Sequence, residues 1–389
     1  MREFITGNQA IVRGALRAGC NYFAGYPITP ASSILTEFVH AFEDGRGVAI
    51  QTEDEIAAIG QCIGAAMAGA KALTASSGPG LSLYSENIGL AQMGEVPLVI
   101  VDCQRMGPAT GGATATGEGD VMFARYVSGG GYPLPVLAAT DAATAYALTY
   151  RAFNIAERLR TPVIVLASKD ISMTRQTVDL EAVNLPERVD RTVATNHQPF
   201  HSYDFKDLPD IPAFLPIGAS RQVRFTGSIH DQDGLITTDR SRVARTLSHL
   251  REKIERNAGA LELVRWDKDA DARTLIVSYG LADGAARVAV AQARARGIGV
   301  ANLTLLSLWP VPEAALRTAA GPRIQRVIVP ELNVGLYVNE IRRVLPHVQV
   351  QSILRFDGGL ISPQTILDAV TGVPKASVAA EWSVPCRCS

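Results

Sequence analysis

The chain has 389 residues, 47% hydrophobic and 19% charged, with a formal net charge of −1, which allows two well-buried domains and offers nucleic acid no basic stripe. No apolar run reaches the length of a membrane span and Met1–Phe4 shows no signal-peptide pattern, so a cytoplasmic protein is expected.

The first informative segment is a short strand, Asn21–Gly25, followed by Tyr26, Pro27, Ile28, Thr29 and Pro30. The prolines keep the chain out of a helix until Pro30, so Thr29 is held on a rigid elbow; it could also cap the helix beyond. Val48–Ile50 reads as a buried strand running into Glu53, Asp54 and Glu55. Ile56, Ile59, Ile63 and Met67 then recur at helical spacing among alanines and glycines. Three acids in a first turn would complement the helix dipole and need no further explanation. Thr74 and Ala75 end a third strand, and Ser76, Ser77, Gly78, Pro79 and Gly80 open another helix. A fourth strand, Pro97–Asp102, leads into Gln104, Arg105, Met106, Gly107 and Pro108. Four strands ending in polar loops at Thr29, Glu55, Ser76/Ser77 and Arg105 predict a parallel α/β sheet with one ligand-binding edge.

Further on, Ala142–Leu159 is helical in pattern and Val163–Ala167 is a buried strand, closing a first unit over residues 1–185. Residues 186–268 are proline-punctuated and weakly periodic, with one amphipathic helix from Arg242 to Asn257, and read as a connecting segment. Residues 269–389 form a second, smaller α/β unit with strands at Leu275–Ser278, Val300–Leu305 and Arg326–Val329. Cys20, Cys62 and Cys103 sit in apolar segments and read as buried thiols. Cys386 and Cys388 end the chain, and two cysteines cannot by themselves hold an iron–sulfur cluster.

The four loop motifs in this order, with Pro330, Glu331, Leu332, Asn333, Val334 and Gly335 as a fifth, resemble the α subunit of 2-oxoacid:ferredoxin oxidoreductases, with the closest likeness to the 2-oxoglutarate branch. The likeness runs from Gly7 to Val370. It implies a thiamine-diphosphate-type pyrimidine-binding domain, followed by a transketolase C-terminal-like α/β domain. It also implies oxidative decarboxylation of a 2-oxoacid with coenzyme A, giving an acyl-CoA and CO2 and reducing ferredoxin. In that superfamily a glutamate hydrogen-bonds the pyrimidine ring of the cofactor and is followed nine residues later by a helix glycine; Glu55 with Gly64 fits, and Glu53 with Cys62 does not.

By the same resemblance, Pro27, Ile28, Ser76, Ser77 and Gly78 line the cofactor, while Thr29 and Arg105 hold the 2-oxoacid carboxylate. Arg105 could instead form a salt bridge at a subunit interface. Pro330–Gly335 reads as a stabilising element or an interface, and His230 as a solvent-side or interface histidine. The diphosphate and Mg²⁺ are ordinarily held by a Gly-Asp-Gly run, and here Gly119 and Asp120 are followed by Val121. A partner β subunit is therefore expected to carry the Mg²⁺ and the 4Fe–4S cluster, with thiamine diphosphate shared between chains and any γ subunit separate. Residues 126–133 depart from the 2-oxoglutarate pattern, which leaves an aryl or branched 2-oxoacid open. A non-oxidative decarboxylase subunit and a non-catalytic assembly subunit are the alternatives.

Overall fold

The computed structural model describes residues 2–195 and 200–372, so Cys386 and Cys388 lie outside the described residues. The first part of the chain alternates strands with helices. In order these are β1 (Arg2–Thr6), α1 (Gly7–Ala18), β2 (Tyr22–Gly25), α2 (Ser32–Ala41), β3 (Val48–Gln51), α3 (Glu55–Met67), β4 (Ala72–Ser76) and α4 (Gly78–Met93). They continue as β5 (Leu98–Gln104), α5 (Val121–Arg125), β6 (Val136–Ala138), α6 (Ala142–Leu159), β7 (Pro162–Ser168), α7 (Lys169–Met173) and β8 (Arg175–Asp179). The connecting stretch carries α8 (Arg240–Glu255) and α9 (Ala258–Leu261). The second part holds β9 (Val264–Asp267), β10 (Thr274–Ser278), α10 (Ala282–Ala295), β11 (Val300–Leu305), β12 (Ser307–Trp309), α11 (Glu313–Ala319), β13 (Arg326–Glu331), α12 (Val338–Val344), β14 (Gln349–Leu354) and α13 (Pro363–Thr371).

The larger sheet has seven strands in the order β12-β6-β7-β5-β4-β2-β3, and all but β12 run parallel. Its central strands β4, β5 and β7 are buried along their whole length, as expected where helices cover both faces. A second sheet has five strands in the order β14-β13-β10-β11-β9, with only β9 antiparallel, and β1 pairs antiparallel with β8 in a separate two-stranded ribbon beside these two main sheets. Thus both sheets are α/β layers, as the sequence predicts.

The two parts share one core. β12, from the second part, completes the first sheet by pairing antiparallel with β6. One apolar cluster runs from Ala58, Tyr84 and Ile100 through Trp309 to Val277, Val327 and Tyr337. Trp309 Nε1 donates to the Val121 carbonyl at 3.1 Å, fixing the seam.

The connecting stretch is fastened to the first sheet by buried cations. Arg160 donates to the carbonyls of Ser202, Pro212 and Ala213. Lys253 on α8 reaches Glu95 at 2.7 Å, and His249 meets the same oxygen at 3.0 Å. A polar, weakly periodic segment has little apolar surface to bury, so it is held by backbone carbonyls on charged anchors. Among the described residues no helix is long and apolar enough to cross a membrane.

Candidate active site

The strand order brings the ends of β2, β3, β4 and β5 to one edge. β2 passes to β3 on one flank, while β4 and β5 lie on its other flank. The winding reverses between β2 and β4, and open α/β sheets leave a crevice at such a point. The segments carrying Thr29 and Ser77 border that crevice, with Glu55 following β3 and Arg105 following β5.

The three acids after β3 have separate tasks. Asp54 is the N-cap of α3, and its carboxylate accepts from the Ala57 N–H at 2.8 Å. Glu53 is exposed. Glu55 is the first residue of the helix and is only 5% exposed. With the cap already supplied by Asp54, Glu55 turns into the crevice, where Ser76 Oγ donates to its Oε1 at 3.4 Å. A β-carbon on Gly80 would lie 1.8 Å from Ser76 Oγ and 2.7 Å from Glu55 Oε1. Only glycine lets α4 approach this pair. Ser77 is the N-cap of α4 by its backbone angles, yet its hydroxyl makes no cap bond and is buried without a partner among the described residues. Ser76 and Gly80 therefore lie against Glu55, while a β-carbon on Gly78 would meet the Asp120 carboxyl at 2.9 Å.

Thr29 and Arg105 also meet. The buried Arg105 donates through Nη1 to the Thr29 carbonyl at 2.5 Å, while its Nε is buried with no partner among the described residues. Arg105 makes no ion pair with this chain among the described residues. Thr29 itself is exposed, as is Pro27, and Ile28 is half-buried. The reading of Thr29 as a helix cap is corrected: α2 begins at Ser32, with Ala31 as N-cap and no side-chain cap bond.

Three acids missed in the sequence complete the edge. Asp102 is fully buried in β5, and neither of its oxygens receives a bond from an N–H or hydroxyl group among the described residues. Burial, then the neighbouring Asp120 carboxyl, holds it well above the usual carboxylate range. Burial pushes Asp120 up to about 6. Glu118, buried and facing Asp170 and Glu331, is pushed up to about 8, chiefly by burial. The available sequence signal was an acid inside the otherwise apolar run of β5 and two more within a glycine-rich loop.

The motif from Pro330 to Gly335 works at the seam. The Glu118 N–H donates to the Leu332 carbonyl, and Asn333 Nδ2 donates to the Glu118 carbonyl, both at 2.9 Å. Glu331 accepts from Tyr279 OH at 2.7 Å and from the Tyr337 and Val338 N–H groups. Glu118 Oε1 accepts from the Leu281 N–H at 2.8 Å. The loop after Arg105 is thereby pinned to the second part of the chain. The solvent-side reading of His230 is corrected: it is 1% exposed, its ring packs tilted against Tyr203, and its Nδ1 meets the Ser228 carbonyl at 2.8 Å.

A buried carboxyl with one hydroxyl partner, a glycine that clears the space beside it and an orphaned serine hydroxyl suit the polar edge of a flat heterocycle. The residues present fit the pyrimidine half of thiamine diphosphate.

Comparison with known proteins agrees with this geometry. The family model described as "Pyruvate flavodoxin/ferredoxin oxidoreductase, thiamine diP-bdg" matches residues 13–248, and "Pyruvate:ferredoxin oxidoreductase core domain II" matches residues 272–366. A 2-oxoglutarate synthase subunit KorA from Archaeoglobus fulgidus is 39% identical over 370 residues, covering 95% of this chain and 99% of that one. The protein of the same name from Methanocaldococcus jannaschii is 35% identical over 376 residues, with 95% and 99% covered. The structure of 2-oxoglutarate:ferredoxin oxidoreductase from Magnetococcus marinus superposes with a TM-score of 0.86 at 26% identity, covering 95% of this chain. This chain spans 65% of the length of that one. A buried glutamate after β3, a buried arginine after β5, and sequence likeness along nearly the whole chain lead to one assignment: the chain belongs to the 2-oxoacid:ferredoxin oxidoreductase family, as an α-type, thiamine-diphosphate-binding subunit.

Proposed function

We propose that this chain is the α subunit of a 2-oxoglutarate:ferredoxin oxidoreductase, active only with a β-type partner. The overall reaction consumes 2-oxoglutarate and coenzyme A, releases CO2 and succinyl-CoA, and passes two electrons to ferredoxin. The observation that carries this reading is the burial of Glu55 against Ser76 beneath Gly80. Thiamine diphosphate, when bound, supplies a carbon nucleophile and an electron sink. Glu55 hydrogen-bonds the pyrimidine ring and exchanges a proton with it, a task for which a carboxyl at a strand end is well placed. Ser76, Ser77, Gly78, Pro27 and Ile28 shape the wall around that ring. Arg105, fixed on Thr29, offers its remaining N–H groups to the 2-oxoacid carboxylate.

The chain supplies the pyrimidine side of the site, with residues 1–185 as the pyrimidine-binding domain, 186–268 as the connector and 269–389 as the second domain. The β-type partner supplies the diphosphate ligands, Mg²⁺ and the 4Fe–4S cluster. An exposed stripe of α3 supports a covered face: Ile56 is 50% exposed, and nothing lies within 4 Å of where side chains at Gly60 and Gly64 would begin. The pairing of two such α–β units by a closed two-fold axis is the simplest assembly. A cytoplasmic location is part of this reading, and among the described residues no helix is long and apolar enough to cross a membrane.

The test is reconstitution with the β-type chain. The complex should reduce ferredoxin only when 2-oxoglutarate and coenzyme A are both present, and should prefer 2-oxoglutarate over branched and aryl 2-oxoacids. Calorimetry on the isolated chain should show no micromolar binding of thiamine diphosphate. Tight binding by the chain alone, or turnover without coenzyme A or an electron acceptor, would overturn the reading.

A further inference from the structure

The second sheet reverses its winding as the first does. β10 passes to β11 on one flank, while β13 and β14 lie on the other, so a crevice opens where β10 and β13 end. Open α/β sheets take ligands at such a point. Here a residue of the first unit fills it. The Glu118 N–H donates to the Leu332 carbonyl after β13, and Glu118 Oε1 accepts from the Leu281 N–H after β10 at 2.8 Å. Asn333 Nδ2 donates to the Glu118 carbonyl at 2.9 Å and to Tyr279 OH at 2.8 Å, so the same amide also ties the two strand ends together. A β-carbon on Gly280, where φ is +55°, would lie 2.3 Å from Glu118 Oε1 and 2.5 Å from Oε2. The backbone after β10 is bare where this carboxyl enters.

Glu118 closes the loop that Arg105 opens. Residues 107–111, at the tip of that loop, are exposed and bury little that could hold them. Order comes from the base of the loop instead. The Met106 N–H donates to the Ala115 carbonyl at 3.0 Å, and the Gly112 N–H to the Met106 carbonyl at 2.9 Å. A β-carbon on Gly117 would lie 2.8 Å from Met106 Cα, so the returning chain runs against the residue after Arg105. The second unit touches this base again at Gly358, whose β-carbon would lie 3.2 Å from Ala115 Cβ and 3.5 Å from Met106 Sδ. Among the described residues the Arg105 side chain has one hydrogen bond, to the Thr29 carbonyl. The aim of its remaining donors therefore depends on the backbone from which it projects.

We propose that Glu118 is the positioning residue through which the second unit aims Arg105: the second unit's crevice takes Glu118 as its occupant, and the loop so anchored sets where the guanidinium meets the 2-oxoacid carboxylate. This rests on Arg105 binding that carboxylate, as proposed above. Glu118 acts through Arg105 and does not touch substrate. Burial pushes its carboxyl up to about 8, so near neutral pH it is largely uncharged, and a glutamine amide can reproduce its shape and its acceptor oxygen.

The experiment compares Glu118→Ala with Glu118→Gln in the reconstituted α–β complex. In Glu118→Ala the KM for 2-oxoglutarate should rise by about tenfold, the scale of one impaired charge-assisted hydrogen bond, while kcat changes far less. Affinity for thiamine diphosphate, which depends on Glu55 after β3, should stay at the wild-type value. Hydrogen exchange at the Met106 and Gly112 amides should quicken. Glu118→Gln should return both KM and exchange to wild type. Where Glu118→Ala does not assemble, Glu118→Asp, one methylene short of the Leu281 N–H, should give the same split. Wild-type exchange in these shortened variants overturns the proposal, as does a loss of cofactor affinity equal to the rise in KM, which marks a merely structural role. Faster exchange with an unchanged KM, in a complex where Arg105→Lys raises KM, also overturns it. If Arg105→Lys leaves KM unchanged as well, it is the carboxylate reading of Arg105 that has failed, and the positioning role falls with it.

Discussion

Arg105 and Thr29, 76 residues apart in sequence, are joined by a 2.5 Å hydrogen bond from the guanidinium to the threonine carbonyl. The contact uses the backbone of Thr29 and leaves its side chain exposed. It ties the loop after β5 to the loop after β2 across the crevice, and it spends one of the five donors of the guanidinium on architecture. Arg105→Lys keeps the charge but loses the planar fork, so it cannot hold Thr29 and a carboxylate together. Steady-state kinetics should show KM for the 2-oxoacid rising by about tenfold to a hundredfold, the scale of one or two charge-assisted hydrogen bonds. An unchanged KM with loss of the complex would mean that Arg105 serves an interface.

Glu55→Gln removes a proton from the chemistry and little from the fold. Ser76 can still donate to the amide oxygen, so the complex should assemble and melt near the wild type. Turnover should drop by about two orders of magnitude or more, the usual scale of acid–base assistance. A Glu55→Gln complex with wild-type kcat would place the contact to the pyrimidine on another residue.

Gly80→Ala tests the close approach of α4. The added carbon would sit 1.8 Å from Ser76 Oγ and 2.7 Å from Glu55 Oε1, so either the helix or both side chains must move. Overpacking of this kind costs about 1–3 kcal/mol, and the displaced Glu55 should lower kcat as well. The same substitution at Gly60 meets nothing within 4 Å in this chain. Gly60→Ala should therefore raise the melting temperature of the isolated chain, because alanine in a helix interior is favoured over glycine by about 0.5–1 kcal/mol.

Glu118 gives the seam between the two parts of the chain a pH dependence. Burial raises its carboxyl from 4.5 to about 8. Between those values the folded chain holds a proton that the unfolded chain has released. Stability is full below the lower value, declines as pH rises through the interval and levels off above the upper one. Glu118→Gln should keep the bond from the Leu281 N–H and remove the slope. Thermal melts from about pH 5 to about pH 8 should fall steadily for the wild type and stay flatter for the variant.

Much of the site was legible because each element announces itself locally. Proline fixes the elbow before α2, an apolar run marks β5, and serine and glycine mark the turn into α4. Strand-to-helix alternation implies a parallel sheet, and its shared edge follows from that. The choice of Glu55 over its neighbours also came from the sequence, through a glycine nine positions on and a family likeness. In the structure Asp54 caps the helix and leaves Glu55 free to turn inward.

Other features depend on approach between distant segments, and no local pattern encodes that. Asp102 reads in sequence as a strand end, and only the path of the loop back to β5 sets the Asp120 N–H on Gln104, two residues along the same strand. Gly78 and Gly80 look like ordinary turn glycines until the Asp120 and Glu55 carboxyls occupy the space of their missing side chains. β12 lies in the second unit by sequence yet pairs with β6, because an open sheet edge is satisfied by whichever strand reaches it. His230 sits in a polar, irregular stretch, yet it is buried with the Tyr203 ring packed against it. The sequence by itself determined the α/β units and the loop edge they share, and it singled out Glu55 as the expected acid. The tertiary structure decided which polar groups face each other in the dark, since burial and electrostatics depend on distance in space and not on spacing along the chain.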